Sequence, residues 1–334
     1  MQKRIALWDN LKLFLIFLVV LGHLINGYYP DSPIFGPLYL IIYTFHMPAF
    51  VFVSGLFSKK SVNGDKFPTK RVFAFVSLYF LTRIVNFFPN MLLFHKEVKF
   101  DIFSVESMPW YMLAMAIWYA ITWAIKNIDS KYVLTMSIIL ACFAGYMKGD
   151  GDFLSVLRVI NFFPFFYCGY ILDPEKVDCF TAKVPVKIFS ALYLAAFSAG
   201  CFLKFNFASK FYPLVLGRSK YSGLGAYADY GYILRLLYYV GVGLMVVAVI
   251  SLCPRKEFKI TKGGKLTLQI YAFHRSLVYI LDNAGVLDTI QGICPGWELI
   301  IVAMAVLITA VFCLKIFTVP IDFITNPKPR KIKE

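Results

Sequence analysis

The chain has 334 residues, 59% of them hydrophobic and only 16% charged, with a mean hydropathy of +0.68. At that composition a water-soluble fold has too few polar side chains to cover its apolar ones, so a soluble enzyme or soluble nucleic-acid-binding domain is excluded and a chain that crosses the membrane repeatedly is expected. The net charge of +15 therefore needs an explanation other than nucleic acid, and loop topology supplies one.

A helix needs about 20 apolar residues to cross the hydrocarbon core. Taken in chain order, spans are expected at about 11–27, 36–57, 72–94, 109–125, 132–147, 154–172, 187–203, 230–252, 267–283 and 297–317. The first runs into the second without a small-residue cleavage site, so it reads as a membrane helix rather than a removable leader. The fifth is short, and the sixth carries Arg158, Asn161 and Pro164. The expected fold is all-α: a polytopic bundle of about ten transmembrane helices forming a single domain over 1–334. Ten spans put both termini on one side, and that side gathers 21 Lys and Arg in its loops and ends against 7 on the other. The positive-inside rule makes it the cytoplasmic side of a cell membrane, and contact with anionic lipid accounts for the charge.

The longest external loop, about 204–229, contains Tyr212, Tyr221 and Tyr227. Two readings are open for it: a cap that touches a carbohydrate, or an aromatic belt beside a plain loop. The seven cysteines are scattered, with no CxxC pair and no Cys/His metal spacing, so they read as small buried hydrophobes and no metal site is expected. Lys262-Gly263-Gly264-Lys265 has neither the leading glycine nor the Ser/Thr of a phosphate loop.

Ionisable groups inside the spans are the informative exceptions. A charge at the bilayer centre costs roughly 2.5–3.5 kcal/mol on insertion scales, so such groups usually face a protein interior or a watery cavity. His23 and His46 sit in the first two spans, which must be neighbours. Lys12 and His23 are eleven residues apart, which is three helical turns plus some 20°, so they share a face about 16 Å apart along the axis. Asp9, one turn before Lys12, joins that face. His46 precedes Met47-Pro48, where proline removes a backbone hydrogen bond, and its ring has equal claim to a structural bond with a freed carbonyl and to a place in a site. His274 is similar, and His95 lies in a loop where it reads as inert. Arg83, Arg158, Arg235 and Arg275 lie inside spans, whereas Lys12 and Lys315 are near enough to helix ends to snorkel. Arg83, Asn86 and Asn90 form a stripe at helical spacing. No Asp or Glu sits at the centre of a span to balance these cations, so either an anionic ligand enters the bundle or the cations rest on aromatic rings.

Five segments in order carry a resemblance. Trp8-Asp9-Asn10-Leu11-Lys12 leads to His23; Phe45-His46-Met47-Pro48 comes with Ser54-Gly55; Trp110-Tyr111-Met112-Leu113 comes with Trp118; Arg158 comes with Phe163-Pro164 and Gly169-Tyr170; and Gly264-Lys265-Leu266 comes with Tyr271 and His274. Together they resemble the acyltransferase-3 family of integral-membrane O-acyltransferases, particularly its fucose 4-O-acetylase-like branch. The family usually has Arg eleven residues before the first-helix histidine; here it is Lys12, which keeps the charge and loses the bidentate fork.

The resemblance implies a ten-helix core in the bacterial plasma membrane. It implies transfer of an acyl group, commonly acetyl, from cytoplasmic acetyl-CoA or another acyl-CoA to a hydroxyl of a cell-surface carbohydrate or lipid-linked (glycolipid) acceptor. On that reading His23 is the general base or takes the acyl group itself, with Asp9 and His46 beside it as catalytic residues. Lys12, Arg83, Arg158, Tyr271 and His274 would hold the donor, and the partners are acyl-CoA, the carbohydrate or glycolipid acceptor and membrane lipid, with no nucleic acid. Imidazole suits the base role because its ordinary pKa is close to neutral. The rival from another class is a transporter of an anionic solute or lipid-linked sugar, which would use the buried cations equally well; the absence of an internal sequence repeat counts against it.

Overall fold

The computed structural model describes residues 5–94, 108–148, 153–293 and 295–325. His95, the cationic ends (Lys3, Arg4 and the basic tail) and the side chain of Asn90 lie outside the described residues. Among those described the architecture is helical throughout. In chain order the helices are α1 (Ala6–Ile25), α2 (Phe35–Leu56), α3 (Lys59–Val62), α4 (Thr69–Phe94), α5 (Trp110–Ala124), α6 (Ser130–Ala144), α7 (Val156–Ile171), α8 (Pro174–Thr181), α9 (Val184–Leu203), α10 (Phe205–Ala208), α11 (Tyr212–Leu216), α12 (Gly231–Leu252), α13 (Thr267–Asn283), α14 (Val286–Gln291), α15 (Trp297–Val311) and α16 (Thr318–Thr325).

Each expected span falls on a helix of 15 residues or more, and not all of these are long enough to cross a membrane by themselves. Length and apolarity together single out five stretches able to cross a membrane: Ala6–Tyr28, Phe35–Leu56, Thr69–Phe94, Val184–Leu203 and Tyr221–Leu252. Two bent pairs raise the number to seven. The segment expected at 154–172 is α7, and the chain turns by 95° just beyond it into α8, where a loop is expected. Asp173 accepts hydrogen bonds from the Glu175 and Lys176 amides, and Pro174 has no amide to continue the first helix. The segment expected at 297–317 bends by 64° between α15 and the Lys315–Thr325 stretch, where a 3₁₀ turn at Lys315–Phe317 starts the new direction. At 15 to 17 residues, α5, α6 and α13 are shorter than the hydrocarbon core requires of a helix crossing alone.

Packing places α1 at the centre. Leu7, Leu11, Leu15 and Leu24 are fully buried, and the helix is flanked by α2, α13 and α15. The most extensive helix pairing is α2 on α7, with Gly55 and Gly169 facing each other's helices. A Cβ on Gly55 would collide with the Phe166 carbonyl, and one on Gly169 with the Phe52 carbonyl, so only glycine lets these backbones touch. The outer faces are apolar where a soluble protein would be polar: Leu192, Leu203, Leu299 and Leu307 are each more than 60% exposed. That belt is what a lipid solvent selects.

Candidate active site

The site is built along one face of α1. Asp9, Lys12, Ile16, Val19 and His23 succeed one another at steps of three or four, the spacing that stacks side chains on one side of a helix. At the first of these positions Lys12 Nζ meets Asp9 Oδ1 at 2.9 Å, with the carboxylate nearly buried and the ammonium a quarter exposed. Asn10, on the opposite flank, ties α1 to the segment before α13. Its Nδ2 donates to the carbonyls of Pro254 (2.8 Å) and Lys256 (2.9 Å), and its Oδ1 accepts from Thr261 Oγ1 at 2.6 Å. Thr261 in turn accepts from the Phe258 amide. Gly264 completes the joint: a Cβ there would collide with the backbone of Asp9.

Two cavities meet at Lys12. A wide one of about 800 Å³ is lined by Trp8, Asp9, Lys12, Lys59, Lys60 and Asn63, with Asp173 and Glu175 on its far wall. Trp8 is 4% exposed and its indole N–H has no partner, while Asn63 Oδ1 accepts from the Tyr170 hydroxyl at 2.5 Å, leaving its amide nitrogen to the cavity. The second cavity is narrow, about 160 Å³, and runs from Lys12 past Ile16 and Val19 of α1 between Met47, Phe50, Phe75, Met112 and Met115. Its polar points are Ser54 and Tyr111, whose hydroxyls lie 2.6 Å apart, and Tyr271, whose hydroxyl donates to the Met108 carbonyl.

His23 lies one turn beyond Val19. Its ring centroid is 5.3 Å from that of His274. His46 is buried, donates from Nδ1 to the Ile42 carbonyl at 2.7 Å and meets the edge of Tyr43 at 4.8 Å. The carbonyl it uses is not the one proline frees, because Pro48 leaves the Thr44 carbonyl without its helical donor. His274, fully buried, bonds through Nδ1 to the carbonyls of Ile270 (2.8 Å) and Tyr271 (3.1 Å). Arg158 is buried against the face of Trp110, 5.2 Å from its centroid, and Trp118 fixes the neighbouring turn by donating to the Val159 carbonyl at 2.9 Å.

The structure thus brings the rings of His23 and His274 together, buries His46 and Arg158, and places Asp9, Lys12 and Tyr271 on the two cavities. Arg83 belongs to neither group: it lies over Tyr79 at 5.8 Å, and its neighbour Asn86 is tied to α13 by Ser276 at 2.9 Å. Four contributors were not among the expected site residues. Arg275, stacked 4.0 Å over Tyr279, follows on α13 directly after His274, whose ring lies against His23; an intramembrane arginine beside His274 was the signal. Tyr43 shares a helix face with His46 at i,i+3. Trp8 and Asn10 stood inside the opening motif, yet no periodicity distinguishes a wall from a strut. In the 204–229 segment, Tyr212 and Tyr221 turn inward, to the Tyr39 hydroxyl (2.8 Å) and the Cys142 carbonyl (2.8 Å). Tyr39 stacks on Tyr43 at 4.0 Å, so an aromatic column links that segment to His46.

A multi-pass helical membrane protein whose central helix carries one polar face from an open cavity to a buried pair of histidine rings is the class these features define. The chain belongs to the acyltransferase-3 family, whose model, described as an acyltransferase domain, matches residues 5–317. It is accordingly a membrane enzyme that transfers acyl groups. No curated protein and no solved structure matches it.

Proposed function

We propose that the protein is an O-acetyltransferase of the bacterial plasma membrane, with a ten-helix core and both termini in the cytoplasm, that moves acetyl from acetyl-CoA to a hydroxyl of a cell-surface or lipid-linked carbohydrate. The observation that carries this reading is the position of Lys12 on both cavities, which joins a wide mouth to a channel that reaches Val19, one helical turn before His23. The phosphates of the donor lie at the mouth against Lys12, Lys59 and Lys60, with the Trp8 indole as a further donor. The uncharged pantetheine arm follows the apolar channel along Ile16 and Val19, and the roughly 16 Å of helix between Lys12 and His23 is a span such an arm can cover. The acetylated end then reaches His23.

There His23 takes the proton of the acceptor hydroxyl, and the oxygen attacks the thioester carbonyl carbon. The new C–O bond forms as the C–S bond breaks, and the imidazolium returns the proton to the departing thiolate. Arg275 and Arg158 act on the charge that develops on the carbonyl oxygen in a site shielded from water. Asp9 holds the Lys12 ammonium in place and takes no part in the bond changes. His46 and Tyr43 form the acceptor side, at the foot of the aromatic column. Arg83 is left outside the reaction.

Membranes containing the wild-type protein should incorporate label from acetyl-CoA into a glycan or glycolipid fraction, and mass spectrometry should find the acetyl ester there. His23→Ala should abolish the incorporation. Uptake of an anionic solute into proteoliposomes with no covalent product would overturn the reading in favour of transport.

A further inference from the structure

The His274 ring raises a question that donor binding does not answer: it lines neither cavity, yet it is the ring in contact with His23. Both carbonyls at its Nδ1, those of Ile270 and Tyr271, are acceptors only. Nδ1 must therefore carry the proton, and in the neutral ring Nε2 is a bare lone pair. That nitrogen is buried and has no hydrogen-bond partner. A buried acceptor without a donor costs on the order of 1–3 kcal/mol, so its persistence asks for a partner present in the working state. Two imidazole centroids 5.3 Å apart allow facing ring nitrogens to approach to about 3 Å, so a modest rotation of the His23 ring supplies the missing donor.

We infer that His274 is a positioning residue for His23: its Nε2 accepts the N–H of His23, which fixes the tautomer that leaves the other His23 nitrogen bare toward the substrate hydroxyl. The inference rests on the reading of His23 as the base. The task is the one a carboxylate performs in many base-assisted acyl transfers, with the difference that the partner here is a neutral ring whose own tautomer is set by its helix backbone. When His23 has taken the substrate proton, its N–H toward His274 belongs to a cation and the hydrogen bond shortens and strengthens, so the contact favours the transition state over the ground state. No proton passes to His274, and no bond in the reaction is formed or broken on it. His46 is tied to its helix in the same way through Nδ1, but its ring meets Tyr43 rather than His23, so the two histidines are not interchangeable.

The chain has four histidines, few enough to resolve individually by ¹⁵N labelling of the full-length protein in nanodiscs, assigned by single substitutions. In the wild type, His274 should show the Nδ1-protonated tautomer and His23 one dominant tautomer. His274→Phe, which keeps the ring volume and removes the acceptor, should turn His23 into a mixture of tautomers. It should lower kcat for acetyl transfer about tenfold to a hundredfold, a part of what a positioned base contributes, with KM for acetyl-CoA within about twofold. His274→Gln carries a carbonyl near the Nε2 position and should restore most of the rate. Nε2 protonation of His274 in the wild type would overturn the inference without any variant. It would equally be overturned if His274→Phe had wild-type kcat, or if Gln and Phe reduced activity alike while the His23 signals stayed unchanged. Acetyl transfer at the wild-type rate in His23→Ala would instead remove the base assignment itself, which the spectra of His274 do not test.

Discussion

The two ends of α1's polar face differ in every physical respect. At the Lys12 end the charges are paired, partly exposed and beside about 800 Å³ of open space, and the walls facing α1 come from the end of α2, the short α3 and the turn into α8. At the His23 end the cavity has narrowed away, cations rest on aromatic faces, and imidazoles are held by their own helix carbonyls. A wet site with adjustable loops suits recognition of a large, charged, flexible donor. A dry site on rigid helices suits chemistry, because dipoles there act in a low dielectric and need no rearrangement during reaction. One helix holding both ends at a fixed separation turns donor length into a positioning device.

If that division is right, substitutions at the two ends should separate in their kinetics. The largest effect is expected at the dry end: His23→Ala should lower kcat by about 10²–10⁴-fold while KM for acetyl-CoA stays near wild type, measured by initial-rate acetyl transfer in nanodiscs. Parallel changes in both constants would dissolve the distinction between the ends. At the wet end Lys12→Met should do the reverse, raising KM about tenfold, which is roughly 1.4 kcal/mol, with little change in kcat. The single substitution also takes the ammonium away from the nearly buried Asp9 carboxylate, so stability should fall as well. Asp9→Asn combined with Lys12→Met should recover that stability and keep the raised KM. Recovery of both would mean that Lys12 acts on the fold and does not meet the donor.

A third substitution tests what holds the wet end together. Asn10→Ala removes three hydrogen bonds that join α1 to the 254–261 segment, at about 1 kcal/mol each, and leaves the Pro254 and Lys256 carbonyls with one donor fewer. A loss of about 3 kcal/mol in unfolding free energy is expected, with the mouth rather than the histidine cluster disturbed. The readout is KM rising before kcat falls as temperature approaches the transition.

How much of this was legible beforehand follows the same division. The shared face of Asp9, Lys12 and His23 could be read from spacing alone, because helical geometry converts residue number into direction. The helices themselves were legible because each apolar run is long. Their bends were not: the sixth span is expected to end at 172 with a loop beyond it, yet Asp173-Pro174 starts a further helix at 95° to α7. Partners across the bundle were equally invisible. Nothing in the spacing of His23 and His274, 251 residues apart, indicates that their rings touch. Those contacts are set by which faces α1, α4 and α13 present to one another, and that depends on backbone approaches such as Gly264 on Asp9 that composition does not encode.

The smallest effect concerns which side of the membrane the wet end faces, and it requires no change in activity. Cys179 is exposed on α8, whose first residues line the mouth, so its accessibility reports where the mouth opens. A membrane-impermeant maleimide should label it in inverted vesicles and leave it unlabelled in intact cells if the donor arrives from the cytoplasm; the opposite pattern would turn the proposed orientation over. Cys253 provides an internal control from the same end. It is buried behind Leu7, whose carbonyl accepts its thiol at 3.8 Å, and burial pushes its pKa up to about 11. The thiolate is the reactive form, so at pH 8 roughly one part in a thousand of this thiol is ionised. Its labelling should be slow and should rise about tenfold per pH unit until the pH approaches 11. If Cys253 reacted as fast as Cys179 at neutral pH, the joint between α1 and the 253–265 segment would be opening, and the fixed separation between donor mouth and histidines would be lost with it.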